Sequence, residues 1–429
     1  MKVMPVNCKE VVMQKVIKAK GLVDVVKEKI IQDPIVIIDV DKITAAGTQE
    51  ETPLPQGPHE VFDFPGKYIL PGLINSHAHM TMIADGRPNP VWYQESNEMF
   101  LLAAGRNARF ALMSGVTTIR DCGGRDGVMF AMRRGIEMGI TEGPRLVLSG
   151  RPLTATGGHA YHDHGEVDGP DEMKKAVRQL FKEGADFIKL MVTGGGTPGT
   201  YPEYASLEVE EIKAAVEEAH RIGKKVAAHC RGIPGMVNCI EAGIDHMEHA
   251  EFQLPGMKYT FDPRLAEEMA KMGMYVTPTI QLRRDSMREL TRKQEAGTLT
   301  PLEKKRLENL PYELEQKYRQ LRGFLEAGIR CVAGDDAGLP FTPINQLWLE
   351  LDAMVEGGMK PVQAIISATK TAAEAIDWFS EIGSIEAGKQ ADLVVVDGDP
   401  TTDIKTLSKV SFVMKAGKGY LCRNSTIVR

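Results

Sequence analysis

The stretch Tyr68-Ile-Leu-Pro-Gly-Leu-Ile-Asn-Ser-His77-Ala-His79 joins an apolar, strand-like run to two histidines. Side chains alternate along a strand, so His77 and His79, two positions apart, point to the same side. Two imidazoles that point to one place are suited to a divalent metal ion. An isolated His-x-His pair fits two surface histidines equally well, so its meaning depends on the segments that follow.

Strand-like and helix-like segments alternate through the middle of the chain. Eight strands are predicted, at residues 68–76, 116–122, 145–150, 187–192, 225–229, 244–249, 274–279 and 329–333. This alternation is typical of an α/β domain, and eight strands favour a closed (β/α)8 TIM barrel over an open sheet. Such barrels carry their chemistry at the carboxyl ends of the strands, which is where the His-x-His pair lies.

Both ends of the chain lie outside the predicted barrel. Short strands with turns at residues 35–39, 60–64, 392–396 and 409–415 predict a small β-sandwich domain formed by both chain ends. The expected division is 1–70 and 376–429 for this domain and 71–375 for the barrel. A densely charged helical segment, 283–322, lies between the last two strands, and either a lid over the barrel mouth or a solvated helical pair explains it.

Composition narrows the classes of function. The chain has a formal net charge of −6 and no basic stripe of the kind that nucleic-acid binding requires. The apolar stretches are too short to span a membrane, and residues 1–10 contain no secretory signal. The six cysteines form no CxxC pair, so we expect free thiols and a cytoplasmic location. They stand at Cys8, Cys122, Cys230, Cys239, Cys331 and Cys422.

Two more histidines end predicted strands on the barrel face that carries His77 and His79. His229 ends the fifth strand and His249 the sixth. A single histidine at either place would usually be a satisfied polar residue, but together with the first pair they favour a metal site. His246 is the rival to His249, and its place three residues earlier puts it on the opposite face.

Lys189 and two adjacent aspartates complete the polar strand ends. A lysine inside the apolar fourth strand is unfavourable unless it is salt-bridged or neutral. Near two cations its pKa would fall, and the neutral amine could react with CO2 to give a carbamate that bridges metals. Asp335 and Asp336 follow the eighth strand and face opposite ways, so only one carboxylate should reach the metal.

Eight short runs, spread over most of the chain, form an ordered set. They are residues 71–79, 114–121, 156–159, 184–189, 228–229, 248–249, 334–338 and 385–396. The set resembles the amidohydrolase superfamily, and most closely its prolidase-like branch of Xaa-Pro dipeptidases and carboxypeptidases for basic C-terminal residues. The resemblance implies two divalent metal ions, usually Zn²⁺, with Lys189 carboxylated as a bridging ligand. The remaining implied ligands are His77, His79, His229, His249 and Asp336.

The chain departs from the family pattern at two places. The metal-binding aspartate of the family follows Gly-Thr or Gly-Ser, whereas Asp335 precedes Asp336 here and remains its rival. Dipeptidases of this branch often carry Tyr or His two residues after the His229 position, and this chain has Arg231. Its guanidinium could bind a substrate carboxylate or polarise a carbonyl, or it could be a rim arginine paired to an acid.

The expected reaction is hydrolysis of an amide-type bond in a small dipeptide or N-acyl amino acid by a metal-activated hydroxide. Asp336 would transfer the proton, while His159 and Arg231 would act on the substrate. Tyr201 and Tyr204 are candidate substrate-wall residues. The only expected partners are the small-molecule substrate and, from the family alone, further copies in a homo-oligomer.

Three other functions stay open at this point. One is a hydrolase of a non-peptide amide, carbamate or urea. A mononuclear deaminase would need a glutamate where this chain has Gly232, and would leave Lys189 without a role. A non-catalytic barrel scaffold would have lost metal ligands, but all six positions are filled. Metal content of about two, about one or no equivalents separates the hydrolase, the deaminase and the scaffold.

Overall fold

A computed structural model describes residues 13–421. The predictions for residues 1–10, including Cys8, and for Cys422 lie outside this range. The strands are β1 (Gln14–Asp24), β2 (Lys29–Gln32), β3 (Pro34–Asp39), β4 (Lys42–Thr48), β5 (His59–Pro71), β6 (Leu73–Ala78), β7 (Val116–Asp121), β8 (Arg145–Leu148), β9 (Ile188–Met191), β10 (Val226–Gly232), β11 (His246–Leu254), β12 (Lys258–Tyr259), β13 (Tyr275–Thr277), β14 (Arg330–Cys331), β15 (Leu393–Val396), β16 (Val410–Lys415) and β17 (Lys418–Leu421).

The α-helices lie mostly between the barrel strands. They are α1 (Asn89–Trp92), α2 (Asn97–Met113), α3 (Val128–Glu137), α4 (Gly169–Glu183), α5 (Val209–His220), α6 (Ile233–Ala242), α7 (Pro263–Lys271), α8 (Gln281–Glu295), α9 (Pro301–Glu326), α10 (Leu347–Glu356), α11 (Pro361–Ser367) and α12 (Lys370–Ala375). Among the described helices, none combines the length and apolar character that crossing a bilayer requires.

Eight parallel strands form a closed barrel. One hydrogen-bonded group is β6-β7-β8 and the other is β9-β10-β11-β13-β14. The groups meet on one side through a parallel bridge between Leu153 and Leu190. On the other side Ala78 forms a parallel bridge with Ala337, and the Ser76 amide donates to the Ala333 carbonyl at 2.9 Å. The prediction of a (β/α)8 TIM barrel is confirmed.

The predicted first strand, residues 68–76, is divided in two. β5 pairs with β15 up to Pro71, whereas Leu73 begins β6 beside Val116. A Cβ atom on Gly72 would lie 2.2 Å from the Thr117 hydroxyl oxygen, so only glycine allows the chain to pass so close to β7. The apolar pattern continues through this passage because the last four residues of β5 and all of β6 are buried, so hydropathy alone does not show the break.

Both chain ends contribute to one small β domain. Its strands follow the order β17-β16-β15-β5-β1-β3-β4 in a single sheet, with β2 paired to β1. β15 lies between β5 and β16 in the strand order. Phe62 and Phe64 of β5 nevertheless pack on Phe412 of β16, with ring centroids 5.4 and 5.2 Å apart, which shows that the sheet curls. The predicted β-sandwich thus takes the form of one curled sheet with its own apolar core.

Both ends of the charged segment 283–322 pack on the barrel, whereas residues 291–309 between them are mostly exposed, so the lid and the solvated pair both stay predictions. Thr300 caps the N-terminus of helix α9: its hydroxyl accepts the Glu303 amide while the Glu303 carboxylate accepts the Thr300 amide. One side of α9 buries Leu321 and Phe324 in the main core. The same side also buries polar residues: Glu313, Lys317 and Gln320.

Candidate active site

His77 and His79 face one aspartate at the mouth of the barrel. The Nε2 atoms of His77 and His79 lie 3.3 and 3.2 Å from Asp336 Oδ1. His79 Nδ1 lies 3.0 Å from the Gly123 carbonyl oxygen, which can only accept, so its proton is on Nδ1 and Nε2 is free to bind a metal. Burial opposes ionisation of Asp336, but the two imidazoles hold its pKa below the usual range.

The two aspartates after β14 point to different places. Asp336 adopts a left-handed backbone with φ of 58°, and its amide donates to the His77 carbonyl. Asp335 is fully buried, and its Oδ1 accepts from Asn75 Nδ2 at 2.8 Å. The structure therefore brings Asp336, and not Asp335, to the histidine pair.

His229 and His249 form the other half of the cluster. His249 Nε2 lies 2.9 Å from His229 Nδ1, and the His249 and His77 ring centroids are 5.1 Å apart. Donor atoms of His77, His249 and Asp336 all lie within 4.8 Å of one another, as ligands of one ion must. Burial, reinforced by neighbouring imidazoles, holds the pKa of His229 and of His249 well below the usual value, which favours the neutral form that binds metals.

His246, the rival to His249, lies on the opposite face of β11. Its Nδ1 accepts from Arg120 Nη1 at 2.8 Å, and its Nε2 lies 2.7 Å from the Thr277 hydroxyl. Both ring nitrogens are thereby occupied inside the barrel.

Lys189 is buried without a partner. Its side chain is fully enclosed, and Nζ forms no hydrogen bond with any residue in 13–421. A buried amine in this state is costly. Its charge acts on His77, His229 and Asp336, which places it among the predicted ligands. The residues fit a metal centre, because a carboxylated Lys189 would be an anionic ligand beside the imidazoles and would no longer be an unpaired amine.

Glu248 and Arg120 belong to the site although the sequence analysis assigned them no role. Glu248 Oε2 lies 2.9 Å from His77 Nδ1, and its Oε1 accepts from Arg120 Nη2. A carboxylate behind a metal-binding histidine fixes the ring and its tautomer. Burial opposes ionisation of Glu248, but Arg120 and His246 keep its pKa well below the usual value. Strand alternation would have turned Glu248 inward, opposite to His249, and this was the available signal.

Arg231 pairs with an acid, which is one of the two alternatives that the sequence left open. Its Nε donates to Glu251 Oε2 at 2.7 Å. The same carboxylate group binds Arg283 Nη2 and Lys317 Nζ, each at 2.8 Å. Neither Nη atom of Arg231 forms a hydrogen bond with another described residue, and the side chain is 16% exposed. The guanidinium is thus held by one nitrogen with its outer edge available.

His159 stands beside the cluster. Its ring centroid is 4.6 Å from that of His229, and its Nδ1 lies 2.8 Å from the Thr197 hydroxyl. Burial, reinforced by the charge of Arg231, lowers the pKa of His159 to about 3, so the ring is neutral. Tyr201 and Tyr204 are 63% and 53% exposed, and their rings contact each other with centroids 6.4 Å apart.

Comparison with known proteins gives consistent matches. A family model described as the amidohydrolase family matches residues 68–419. The chain is 27% identical over 387 residues to an ochratoxinase from Aspergillus niger, covering 82% of this chain and 75% of the relative. It is similar to a solved Xaa-Pro dipeptidase with methionine in its active site, at a TM-score of 0.82 and 29% identity, covering 95% of this chain and 100% of the other. A putative prolidase from Bifidobacterium longum matches at a TM-score of 0.78 and 26% identity, covering 95% of each chain.

Proposed function

Because the chain belongs to the amidohydrolase family and is a hydrolase of amide-type bonds, we propose that it cleaves a small dipeptide or N-acyl amino acid at a centre of two divalent metal ions. One observation carries the proposal. Four imidazoles and the Asp336 carboxylate form one cluster, and the fully buried Lys189 amine, which has no hydrogen-bond partner among residues 13–421, interacts electrostatically with several of its members.

Six side chains would hold the metals, and imidazole and carboxylate donors suit Zn²⁺. The Lys189 amine would add to CO2, forming a C–N bond and releasing one proton, and the carbamate would serve as one of the metal ligands. The ligands are His77, His79, Lys189, His229, His249 and Asp336. When bound, the ions activate a water molecule and polarise the scissile carbonyl.

Asp336 would move the proton. Its lowered pKa keeps it ionised at neutral pH, and its position against His77 and His79 puts it at the centre of the cluster. The carboxylate takes the proton of the attacking water and returns it to the leaving amine. His159, neutral beside His229, would donate a hydrogen bond to the carbonyl oxygen as negative charge develops there.

Arg231 would bind the substrate carboxylate. Glu251 fixes its Nε, and the two Nη atoms remain for a bidentate contact with a carboxylate. The dipeptide assignment is supported by the Xaa-Pro dipeptidase and prolidase among the similar structures. A cytoplasmic location is supported by four cysteines that are buried as free thiols: Cys122, Cys230, Cys239 and Cys331.

A substrate screen tests the proposal. Zinc-loaded protein is assayed against dipeptides, N-acyl amino acids, the same compounds with the C-terminal carboxylate amidated, carbamates and phenylureas. The proposal expects a compound with a free C-terminal carboxylate to be cleaved fastest and its amidated form at least about tenfold more slowly, as the loss of one charge-assisted contact predicts. Fastest cleavage of a carbamate or phenylurea would contradict it.

A further inference from the structure

Strand β11 departs from regular pairing directly after His249. Cys230 of β10 pairs with His249, whereas the next pair joins Gly232 to Gln253. Three residues of β11 therefore lie opposite one residue of β10, which makes a bulge. His249 and Ala250 have backbone φ angles of 70° and 45°, in the left-handed region that residues with a side chain rarely adopt. Such a backbone persists only where neighbouring contacts hold it.

The chain after β13 is bent beside this bulge. Thr279 has a φ of 50°, and its hydroxyl oxygen lies 2.7 Å from His249 Nδ1. A partner on Nδ1 fixes the orientation of an imidazole and leaves Nε2 as the nitrogen that binds a metal. The direction of the His249 ring thus depends on two left-handed segments, one after β13 and one in β11.

Lys317 of α9 joins these two segments. Its Nζ donates to the Pro278 carbonyl, directly before Thr279, at 2.7 Å and to the His249 carbonyl at 3.4 Å. Its third contact is Glu251 Oε1, inside the bulge, at 2.8 Å. The side chain is only 3% exposed, and these three acceptors match the three protons of an ammonium group. One buried side chain therefore bridges both left-handed segments.

Charge pairing alone does not account for Lys317. Glu251 already binds Arg231 at 2.7 Å and Arg283 at 2.8 Å, and Arg283 also binds Glu313 at 2.8 Å. These four side chains balance two carboxylates against two guanidinium groups, so Lys317 adds a further buried cation. A buried cation beyond this balance is costly unless its other contacts compensate. The contacts that distinguish Lys317 are those with the two backbone carbonyls.

We propose that Lys317 is a positioning residue for the metal site, which holds the bent ends of β11 and β13 in the conformation that orients His249. The inference rests on the proposed function and gives α9 a part in it. Without the ammonium group, the carbonyls of His249 and Pro278 would lose their shared donor. The left-handed backbone would relax, and the imidazole would turn from His77 and Asp336, whose donor atoms it now meets within 4.8 Å. Zinc would then bind more weakly although every ligand is still present.

The test measures zinc affinity in three proteins, by competition with a chromophoric chelator. They are the wild type, Lys317→Met, which keeps the length of the side chain but not its charge, and the control Tyr318→Phe. The control removes the bond from the Tyr318 hydroxyl to Glu356 Oε2 at 2.8 Å, which attaches α9 to α10 and not to the barrel strands. Urea unfolding of the metal-free proteins measures stability separately, and hydrolysis is assayed after zinc loading.

Lys317→Met should raise the Kd of at least one zinc ion by about 10- to 100-fold, the usual effect of losing a group that orients a metal ligand. Tyr318→Phe should bind zinc as the wild type does, even where urea unfolds it more easily. A folded Lys317→Met protein with wild-type zinc affinity would overturn the inference and leave Lys317 a structural residue only.

A second variant covers the case in which Lys317→Met does not fold. Lys317→Gln keeps an amide donor for one of the carbonyls, and its zinc affinity is then judged by the same two results. If neither variant folds, Lys317 serves the fold as a whole and the inference fails. A wild-type protein that binds no zinc would instead remove the proposed function, so the two failures are distinguishable.

Discussion

At the residue scale, Asp163, which ends the short 3-10 turn Tyr161–Asp163, shows how a buried carboxylate lowers stability. Burial raises the pKa of Asp163 to about 6 against 3.8 in the unfolded chain, with His79 and Arg125 only partly opposing it. The folded state therefore binds the proton more tightly, so this carboxyl lowers stability as pH rises from about 4 to about 6 and remains destabilising above. A rise of this size in the pKa lowers the free energy of unfolding by about 3 kcal/mol once the group is ionised.

Asp163→Asn should accordingly stabilise the ligand-free protein at pH 8 by about 1–3 kcal/mol, and by less at pH 5. Urea unfolding at the two pH values, with Asp171→Asn at an exposed carboxylate of α4 as the control, measures the difference. An Asp163→Asn protein that is less stable than the wild type at pH 8 would show that the carboxylate has a structural partner.

Arg231→Ala tests the proposed contact with the substrate carboxylate. We expect KM for a substrate with a free carboxylate to rise by about 10- to 100-fold, because a bidentate contact is lost, while the amidated substrate changes little. Arg264→Ala, at an arginine that is 87% exposed on α7, is the matched control. Equal loss on both substrates would mean that Arg231 serves only to hold Glu251.

The sequence predicts the candidate metal ligands better than the residues that contact those ligands. His77, His79, His229 and His249 stand at strand ends, where barrel geometry brings side chains together, whereas the choice of Asp336 over Asp335 came from the resemblance to the family. Glu248 was not predicted, since its role depends on pairing across several strands. Arg231 could be located, but its contact with Glu251 requires knowing where β11 continues beyond His249.

At the element scale, α9 packs one side of its second half against the barrel. Lys317 binds Glu251 at 2.8 Å and the Pro278 carbonyl at 2.7 Å. Burial, opposed by Glu251, lowers the pKa of Lys317 to about 8. A charged sequence favours a solvated helix, yet these charges pair with one another inside the fold. Residue counts along the helix could not reveal this, because the partners lie on β11 and α8.

Two glycine substitutions test how closely α9 packs. A Cβ on Gly323 would lie 2.2 Å from the Phe261 ring, whereas a Cβ on Gly105 of α2 would meet nothing within 4 Å. Gly323→Ala should destabilise the protein by about 1–3 kcal/mol despite the better helix propensity of alanine. Gly105→Ala should stabilise it by up to about 1 kcal/mol. Urea unfolding of both variants decides, and a stabilised Gly323→Ala would mean that α9 is loosely attached.

At the scale of the whole molecule, the chain passes directly from the curled sheet into the barrel at Gly72, between the end of β5 and the start of β6. The alternation of strands and helices was sufficient to predict the barrel, and the short strands at both ends predicted a common domain. The break between β5 and β6 was not predictable, because the end of β5 and the whole of β6 are buried. The outcome is a rigid frame that brings side chains from β6, β9, β10, β11 and the segment after β14 to one place.

Metal content, measured by mass spectrometry alongside hydrolysis, tests the binuclear centre most directly. The account predicts about two equivalents of zinc per wild-type chain, loss of activity on chelation, and recovery when zinc and bicarbonate are restored. Lys189→Met should bind about one equivalent or fewer and lose nearly all activity, whereas Lys182→Met, at an exposed lysine of α4, should match the wild type. Full activity in protein stripped of metal, or two tightly bound ions in Lys189→Met, would contradict it.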